Sequence, residues 1–231
     1  MVCERVIAIQ AEQHFEENNI LQEYQSGFRK FKSTISEMLT LFDSLLEAKE
    51  EGKEIALVLF DLSSAFDTID HEILCKKLEI YGWTDSAIKW MWSYLKDRKQ
   101  KVSISGTLSS EITINRGCPQ GSRLSPLLFT VLMSDLNLHT KKSKLTNFAD
   151  DTQIHLCEES EEKLREVTKE EADSVIAFFE GVKLSNNPDK AAIIYNSKGK
   201  GKSIEMEVGG KNLKSSKDEK LLGLTVSSDL N

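Results

Sequence analysis

Apolar residues recur at helical spacing in several parts of the chain. In residues 4–19 they include Val6, Ile7 and Phe15, which predicts a first helix. Residues 34–37 have the pattern of a capping box, formed by Thr34 and Glu37, and precede a second amphipathic stretch that ends near Gly52. The same criteria predict further helices at residues 70–82, 84–95, 125–139 and 160–181, the first three beginning at Asp70, at Thr84 or Asp85, and at Ser125 with Pro126.

Other segments have the patterns of strands. Residues 55–60 are continuously apolar, which is typical of a strand buried on both faces. Residues 101–115 alternate apolar and polar positions around Gly106 and Thr107, which predicts a hairpin. Shorter strands are predicted at 144–148, 152–156 and 191–195, and a flexible linker at 197–203. The order of these elements indicates an α+β fold: a split βαβ, ferredoxin-like sheet with helices on one face.

Length and charge narrow the class of protein. The 231 residues suffice for one large domain or two small ones, and the longest apolar runs, 55–60 and 126–133, are too short to cross a membrane. The N-terminus lacks an apolar signal core, and the four cysteines form no C-x-x-C pair, which argues against secretion and against a zinc site. The net charge of −7 disfavours a nucleic-acid partner, but basic clusters at 29–32, 96–101 and 198–220 leave a locally basic surface open.

Three carboxylates follow predicted strands. Asp61 comes directly after the buried strand, and Asp150 and Asp151 occupy the predicted turn of a hairpin. If these strands are neighbours, the acids converge at one edge of the sheet, where their mutual repulsion favours a bound cation such as Mg²⁺. Two Mg²⁺ ions about 3.5–4 Å apart serve polymerases and nucleases in phosphoryl transfer. The alternative is ordinary structure, because Asp is common in solvated turns and at helix starts.

Six stretches, in order along the chain, resemble motifs of one enzyme family. The three central ones run from Asp61 to Asp67, from Gly117 to Phe129 and from Phe148 to Asp151. They resemble motifs of the reverse transcriptase palm. Their detailed sequences are most similar in type to those of reverse transcriptases from non-LTR (LINE-type) retrotransposons. The other three are Gln25 to Arg29 with Ser33 and Thr34, Gly181 to Leu184 with Asn187 and Lys190, and Leu221 to Leu224.

The resemblance implies a metal site. Asp61 and Asp150 would bind two catalytic Mg²⁺ ions, for which Mn²⁺ could substitute. The backbone carbonyl of Leu62 would be a further ligand and Asp151 the third carboxylate, although a structural turn acid remains the alternative for Asp151.

The resemblance also implies a nucleotide site. Phe66 would lie under the incoming sugar and exclude a 2′-hydroxyl, Gln120 and Gly121 would lie against the nascent base pair, and Lys190 would assist the departing pyrophosphate. Arg29 would contact template or triphosphate. The alternatives are a core aromatic for Phe66, a plain loop at 119–121 and surface cations for Lys190 and Arg29. Asp67 is interpreted as a helix-capping acid.

The matched stretches also imply an organisation and a function. Residues 1–54 would be part of the fingers and residues 55–231 the palm, with the hairpin at 101–115, a primer-grip-like segment at 216–231 that includes Leu222 and Gly223, and no thumb. We expect an RNA-directed DNA polymerase that uses an RNA template, a DNA primer and a deoxynucleoside triphosphate (dNTP) in the nucleus or cytoplasm. One alternative is an inactive retroelement remnant that serves at most as an interaction module. A nucleotide cyclase or nuclease is disfavoured by the match at residues 119–122.

Overall fold

A computed structural model describes residues 2–197 and 202–230 of the chain. Its helices are α1 (Val2–Glu17), α2 (Thr34–Glu50), α3 (Ala65–Thr68), α4 (His71–Ile80), α5 (Asp85–Leu95), α6 (Leu124–Leu132) and α7 (Glu161–Gly181). Its strands are β1 (Glu54–Phe60), β2 (Arg98–Gln100), β3 (Ser103–Ile104), β4 (Thr107–Leu108), β5 (Ile112–Ile114), β6 (Lys144–Phe148), β7 (Asp151–Glu158), β8 (Ala192–Asn196), β9 (Glu205–Val208), β10 (Lys211–Lys214), β11 (Asp218–Leu221) and β12 (Leu224–Ser227).

Four of these strands form the sheet that carries the acidic residues. Its order is β6-β7-β1-β8, and every neighbouring pair is antiparallel. The segment from α3 to α6 connects β1 to β6, and α7 connects β7 to β8, so each connection passes over a strand that lies between its ends. This is a split βαβ topology, and it confirms the predicted α+β fold class.

Apolar side chains cover the sheet on both faces. Successive side chains of a strand point to opposite faces, so β1 contributes Ala56 and Val58 to one core and Ile55 and Leu57 to another. The first core contains apolar residues of α4, α6 and α7, and the second is formed with α2 and the hairpin of β11 and β12. The prediction that this strand is buried on both faces is confirmed. The helices that follow β1 share one face, and α2 covers the other.

Helix α1 packs on the first core through Ala11 and Phe15, and the Phe15 ring stacks on Trp83 with a centroid distance of 5.9 Å. Near its start, the Glu4 carboxylate accepts hydrogen bonds from the backbone N–H of Arg123 at 3.1 Å and from the Tyr94 hydroxyl at 3.0 Å. A carboxylate at this point satisfies a free N–H at the start of α6 and opposes the positive end of the helix dipole. Helix α1 is therefore held against α5 and α6.

The predicted helix caps are confirmed for α4 and α5 and are wrong for α2 and α6. Asp70, Thr84 and Ser160 each accept backbone hydrogen bonds at the starts of α4, α5 and α7. For α2, the predicted capping box of Thr34 and Glu37 is wrong, because Ser33 is the cap and Ser36 completes the box. Glu37 instead turns inward and accepts a hydrogen bond from the Ser26 hydroxyl.

Helix α6 begins one residue earlier than predicted and ends sooner. Arg123 occupies the cap position, upstream of the predicted Ser125, and the hydroxyl of Ser122 accepts a hydrogen bond from the backbone N–H of Ser125 at 2.9 Å. At the other end, Lys77 donates to the carbonyl of Leu132 and Tyr24 to that of Met133. These donors satisfy carbonyls that a longer helix would use, and a 3₁₀ turn at Leu136–Leu138 follows.

The remaining strands form separate hairpins. The predicted hairpin at 101–115 is present as two short pairs, β2 with β5 and β3 with β4. The hairpin of β9 and β10, which packs against α7, was not predicted, although Gly209 and Gly210 between two alternating segments are a signal for it. Most of the predicted linker, residues 198–201, lies outside the described residues. Within the described ranges, no helix has both the length and the apolar character that a membrane span needs.

The turn before β6 depends on one buried carboxylate. Glu171 of α7 is 5% exposed and accepts hydrogen bonds from the backbone N–H groups of Lys141, Lys142 and Ser143 and from the Ser143 hydroxyl at 2.6 Å. Burial opposes ionisation of this carboxyl, but the hydrogen bonds from Ser143 and the backbone outweigh it and lower the pKa of Glu171.

Replacing this carboxylate should destabilise the fold in a pH-dependent way. We expect Glu171→Gln to lower the free energy of unfolding by about 1–3 kcal/mol at pH 7, because several buried donors lose a charged acceptor. Since the folded-state pKa of Glu171 lies below its unfolded value of about 4.3, this contribution is present above that pH and is lost as the pH falls through the folded-state pKa. Urea unfolding at pH 7 and near pH 3 measures the difference.

The neighbouring Glu170 provides a matched control. Its carboxylate is 57% exposed and pairs with Lys142 at 3.0 Å. Glu170→Gln should change the free energy of unfolding by less than about 1 kcal/mol. Equal effects of the two substitutions at pH 7 would show that the Glu171 hydrogen bonds do not stabilise the turn.

Candidate active site

Three acidic residues lie at one end of the central sheet. The register of β1 and β7 ends with Phe60 opposite Thr152, so Asp61 leaves β1 next to the point where β7 begins at Asp151. Asp151 also pairs with Phe148, which closes the β6–β7 hairpin through Ala149 and Asp150. The predicted turn at Asp150 and Asp151 is therefore displaced by one residue, since Asp151 is the first residue of β7. Ala149 has a positive φ of 58°, as tight hairpin turns require.

The three carboxylates influence one another. Partial burial raises the pKa of Asp151, and the negative charges of Asp150 and Asp61 raise it further. The Oδ2 atom of Asp61 is buried and has no hydrogen-bond partner. The ammonium group of Lys190 lies 3.5 Å from this oxygen and is the cation that approaches it. Lys190 therefore lies close to Asp61 and offsets part of the local negative charge.

The oxygen atoms at this end of the sheet are of the kind that binds a hard cation. Carboxylate oxygens are the ligands that Mg²⁺ prefers, and Asp61 Oδ2 is an acceptor with nothing donating to it. Leu62, whose carbonyl is the predicted fourth ligand, follows Asp61 directly and is buried. Among residues 2–197 and 202–230, however, no three His, Cys, Asp or Glu side chains form a group that could hold a metal ion. These residues therefore fit a metal ion in the type of ligand atom that they offer and in their location at one end of the sheet.

The segment after α7 holds the end of β1 in place. The backbone N–H of Asn187 donates to the carbonyl of Asp61 at 2.8 Å, and the N–H of Ser63 donates to the carbonyl of Ser185 at 2.9 Å. The N–H of Lys190 donates to the carbonyl of Asn187 at 3.1 Å. These bonds extend the strand pairing past Asp61 and bring Lys190 to it.

A second segment braces the hairpin turn from the other side. The N–H of Ser26 donates to the carbonyl of Asn147 at 2.9 Å, and the N–H of Asn147 donates to the carbonyl of Tyr24 at 2.8 Å. Gly27 then passes so close to the turn that a Cβ atom at this position would lie 2.3 Å from the backbone nitrogen of Ala149. Sequence reasoning matched this stretch to a motif but gave Gly27 no role. The presence of a glycine within the matched motif was the feature of the sequence that could have indicated this close approach.

The loop at 117–121 is attached to α3. The N–H groups of Gly117 and Cys118 donate to the carbonyls of Ile69 and Phe66 at 2.8 and 2.9 Å. The amide of Gln120 donates to both carboxylate oxygens of Asp67, at 3.0 and 3.2 Å. The interpretation of Asp67 as a helix cap is therefore wrong, because Ser64 occupies the cap position of α3 and Asp67 holds Gln120.

Two predicted nucleotide contacts lie beside this loop. Gly121 has a φ of +77°, and a Cβ atom added there would meet nothing within 4 Å, so its backbone faces open space. Phe66 is half-buried between two other rings, with centroid distances of 4.8 Å to Phe129 and 6.0 Å to Phe28. The sequence left two roles open for Phe66, a core aromatic and a substrate contact. In the structure, one side of its ring packs against the core.

The other predicted site residues have contacts elsewhere in the fold. The Arg29 guanidinium forms an ion pair with Glu16 at 3.1 Å and donates to the carbonyl of Gln22 at 2.6 Å. Leu222 and Gly223 form the turn between β11 and β12, with φ values of 49° and 85°, and Leu222 packs against the second core. The structure thus brings together Asp61, Asp150, Asp151 and Lys190, and joins Gln120 to α3.

Comparisons with known proteins agree with these motifs. A family model described as reverse transcriptase (RNA-dependent DNA polymerase) matches residues 2–226. The chain is 31% identical over 180 residues to a protein named "Probable RNA-directed DNA polymerase from transposon BS" of Drosophila melanogaster, which covers 71% of this chain and 19% of that protein. It is 28% identical over 218 residues to the RNA-directed DNA polymerase from mobile element jockey of the same fly, covering 91% of this chain and 24% of the relative. The recognition made from the motifs is confirmed.

Solved structures support the same fold. The apo telomerase of Candida tropicalis truncated from its C-terminal domain superposes with a TM-score of 0.65 at 14% identity, covering 98% of this chain and 44% of that one. At this identity the likeness concerns the fold alone. The chain spans about a fifth to a quarter of the length of the two transposon relatives.

The close approach of Gly27 to the hairpin turn can be tested by adding one methyl group. We expect Gly27→Ala to lower the free energy of unfolding by about 1–3 kcal/mol, because the new Cβ meets rigid backbone rather than a flexible side chain. Gly181→Ala in α7 is the control, since its Cβ meets nothing within 4 Å and alanine favours a helix by roughly 0.5–1 kcal/mol. Denaturant unfolding measures both variants, and a Gly27→Ala protein as stable as the control would contradict the brace.

Proposed function

The chain belongs to the reverse transcriptase family, and from that premise we propose that it catalyses RNA-directed DNA synthesis. The single observation that carries the proposal is that Asp61, Asp150 and Asp151 lie at one end of the central sheet. The reaction would be attack of a DNA primer 3′-hydroxyl on the α-phosphorus of a dNTP, with an RNA template and with pyrophosphate leaving.

The acids would serve as metal ligands. Asp61 and Asp150 would hold two Mg²⁺ ions, with the Leu62 carbonyl and Asp151 as further ligands. Two observations support this: Asp61 Oδ2 accepts no hydrogen bond, and the pKa of Asp151 is raised by partial burial and by the charges of Asp150 and Asp61. When bound, such ions activate the attacking hydroxyl and stabilise charge on the leaving group. Mn²⁺ is an expected substitute.

The remaining residues would position the nucleotide. Lys190 Nζ, which now approaches Asp61, would turn to the leaving pyrophosphate and donate a proton or neutralise its charge. Phe66 would present its exposed side to the sugar, while Gln120 and the open backbone at Gly121 would lie against the base pair. Arg29 would reach template or triphosphate only by leaving Glu16. Leu222 and Gly223 would contact the primer.

The interaction-module alternative has less support. A module that does not polymerise has no need for three mutually repelling acids with a lysine beside them, an arrangement that costs stability unless a cation offsets it. A nuclease would need the acids but not the attachment of Gln120 to Asp67. We therefore retain the polymerase as the function that the site supports best.

The metal-binding role of Asp150 predicts a large loss of activity without a loss of folding. We expect Asp150→Asn to reduce primer extension on an RNA template with Mg²⁺ by at least about 100-fold, because the proposed ions lose a charged ligand. The residue is exposed in its turn, so the melting temperature should change little. Asp43→Asn, an exposed acid of α2, is the control and should retain full extension. Extension that survives at Asp150→Asn, or an unmodified chain that extends no primer, would contradict the proposal.

The packing of Phe66 predicts its effect on sugar selection. We expect Phe66→Val to raise the ratio of ribonucleotide to deoxyribonucleotide kcat/KM by about 10-fold or more, since a smaller side chain leaves room for the 2′-hydroxyl. Loss of contacts with Phe129 and Phe28 will also lower stability, but it affects both substrates equally, so the ratio is internally controlled. An unchanged ratio would assign Phe66 to the core alone.

A further inference from the structure

The side chain of Asn147 lies inside the turn between β6 and β7. Asn147 belongs to β6 and is only 3% exposed. Its Nδ2 atom donates to the carbonyl of Ala149 at 3.0 Å, to the carbonyl of Asp151 at 3.3 Å and to the Thr152 hydroxyl at 2.8 Å. An amide nitrogen carries two hydrogens, so one of them is shared between two acceptors. A single side chain therefore holds three groups of the turn.

The two carbonyls lie on either side of an acidic pair. The Ala149 carbonyl belongs to the peptide group that precedes Asp150, and the Asp151 carbonyl belongs to the peptide group that follows Asp151. Because a peptide group is planar, fixing its carbonyl also fixes the bonds that lead to the neighbouring Cα atoms. The Asn147 amide thus fixes the backbone at both ends of the acidic pair. Its bonds reach the backbone of the acids and not their carboxylates.

The turn has a backbone conformation that needs support. Ala149 has a φ of 58°, in the left-handed region that is costly for a residue with a side chain. Such a conformation persists where surrounding contacts determine it. Here the Asn147 amide holds the Ala149 carbonyl, and the backbone of Gly27 lies against the Ala149 nitrogen. We therefore expect the turn to change shape when the Asn147 donors are removed.

Backbone bonds fix the position of Asn147 itself. Its N–H donates to the carbonyl of Tyr24 at 2.8 Å, and its carbonyl accepts the N–H of Ser26 at 2.9 Å. In the register of β6 and β7 it lies opposite Thr152. Strand β6 therefore has a partner on each side at this residue. A side chain mounted on a backbone held in this way is a rigid support for the residues that it contacts.

We propose that Asn147 is a positioning residue of the active site: its amide sets the directions in which Asp150 and Asp151 leave the turn, and thereby the affinity of the site for a divalent cation. Replacing residues that orient metal ligands changes metal affinity or activity by about 10–100-fold. The order of the turn follows from the hydrogen bonds alone, whereas the effect on the cation rests on the proposed function. The alternative is a buried asparagine that only contributes stability.

Hydrogen exchange of the metal-free chain tests the turn without catalysis. Asn147→Leu keeps a branched side chain and removes both N–H donors. We expect the amide hydrogens of residues 148–152 to exchange at least about 10-fold faster in this variant, because the turn opens locally, while those of β8 keep their rate. Exchange at 148–152 that equals that of the unmodified chain would overturn the proposal.

Ser134→Ala is a matched control for the loss of buried hydrogen bonds. Ser134 is 3% exposed, and its hydroxyl donates to the carbonyl of Val131 at 2.8 Å and bonds the Tyr81 hydroxyl at 2.7 Å. None of these bonds involves the turn. This variant should exchange at 148–152 like the unmodified chain. Acceleration there as large as in Asn147→Leu would assign the effect to general loss of stability and overturn the proposal.

Binding of Mn²⁺ in the absence of nucleic acid tests the effect on the cation. Electron paramagnetic resonance measures free Mn²⁺, and the difference between the unmodified chain and Asp150→Asn defines the ions bound at the acids. We expect Asn147→Leu to weaken this binding at least about 10-fold, and Ser134→Ala to leave it unchanged. A protein that is less stable but binds Mn²⁺ with unchanged affinity would show that Asn147 contributes stability alone.

A milder variant keeps both measurements possible if Asn147→Leu does not fold. The hydroxyl of Asn147→Ser has one hydrogen, so it can satisfy one acceptor of the three. We expect this variant to speed exchange at 148–152 and to weaken Mn²⁺ binding by about 3-fold or more. If neither quantity changes in this variant, the proposal fails.

Primer extension separates this proposal from the proposed function. Asn147→Leu should raise the Mg²⁺ concentration for half-maximal extension by about 10-fold, whereas Ser134→Ala should not. If the unmodified chain extends no primer while Asn147→Leu loosens the turn and weakens Mn²⁺ binding, the positioning role stands and the polymerase function fails. If the unmodified chain extends primers and the Asn147 variants match it in exchange, Mn²⁺ binding and extension, the positioning role fails and the function stands.

Discussion

The backbone register between β1 and β7 is the constraint on which the site depends. It brings the end of β1, which Asp61 follows, next to the start of β7 at Asp151, and the same strand β7 pairs with β6 to close the turn that carries Asp150. A slip of one residue would reverse every side chain of the strand, placing Asp61 in a core and a core residue at the edge. Apolar packing on both faces of β1 prevents such a slip, because Val58 and Leu57 must each remain in their own core.

The segments around the acids contact the backbone near them rather than their side chains. Asn187 and Ser63 pair across the end of β1, Ser26 and Asn147 pair beside the hairpin, and Gly27 presses against Ala149. These bonds define where each Cα atom lies. The carboxylates themselves are left with few donors, and Lys190 approaches only one of them. A site whose backbone is fixed by hydrogen bonds, and whose carboxylates accept few of them, is suited to binding cations and substrate.

Net charge is a poor guide to partners in this chain because its charges are distributed unevenly. Two acids of α7 are already paired, Glu161 with Arg165 and Glu170 with Lys142. By contrast, Arg5 and Arg123 line a cavity whose own glutamates are matched by other cations. The overall value of −7 and the expectation that it disfavours nucleic acid therefore say little about any one surface.

The sequence by itself determined the local elements and the motif positions, because capping, strand periodicity and turn chemistry act within a few residues. Asp70, Thr84 and Ser160 cap helices as their positions indicate, and the apolar run at 55–60 is buried on both faces. Only the tertiary structure decided what depends on residues distant in the chain. Glu37 leaves the predicted capping box because Ser26 bonds it inside the fold, and α6 ends early because Lys77 and Tyr24 take its last carbonyls. The pairing of Arg29 with Glu16, of Gln120 with Asp67 and of Gly27 with the turn likewise required the chain path, since each contact joins segments whose separation no local pattern encodes.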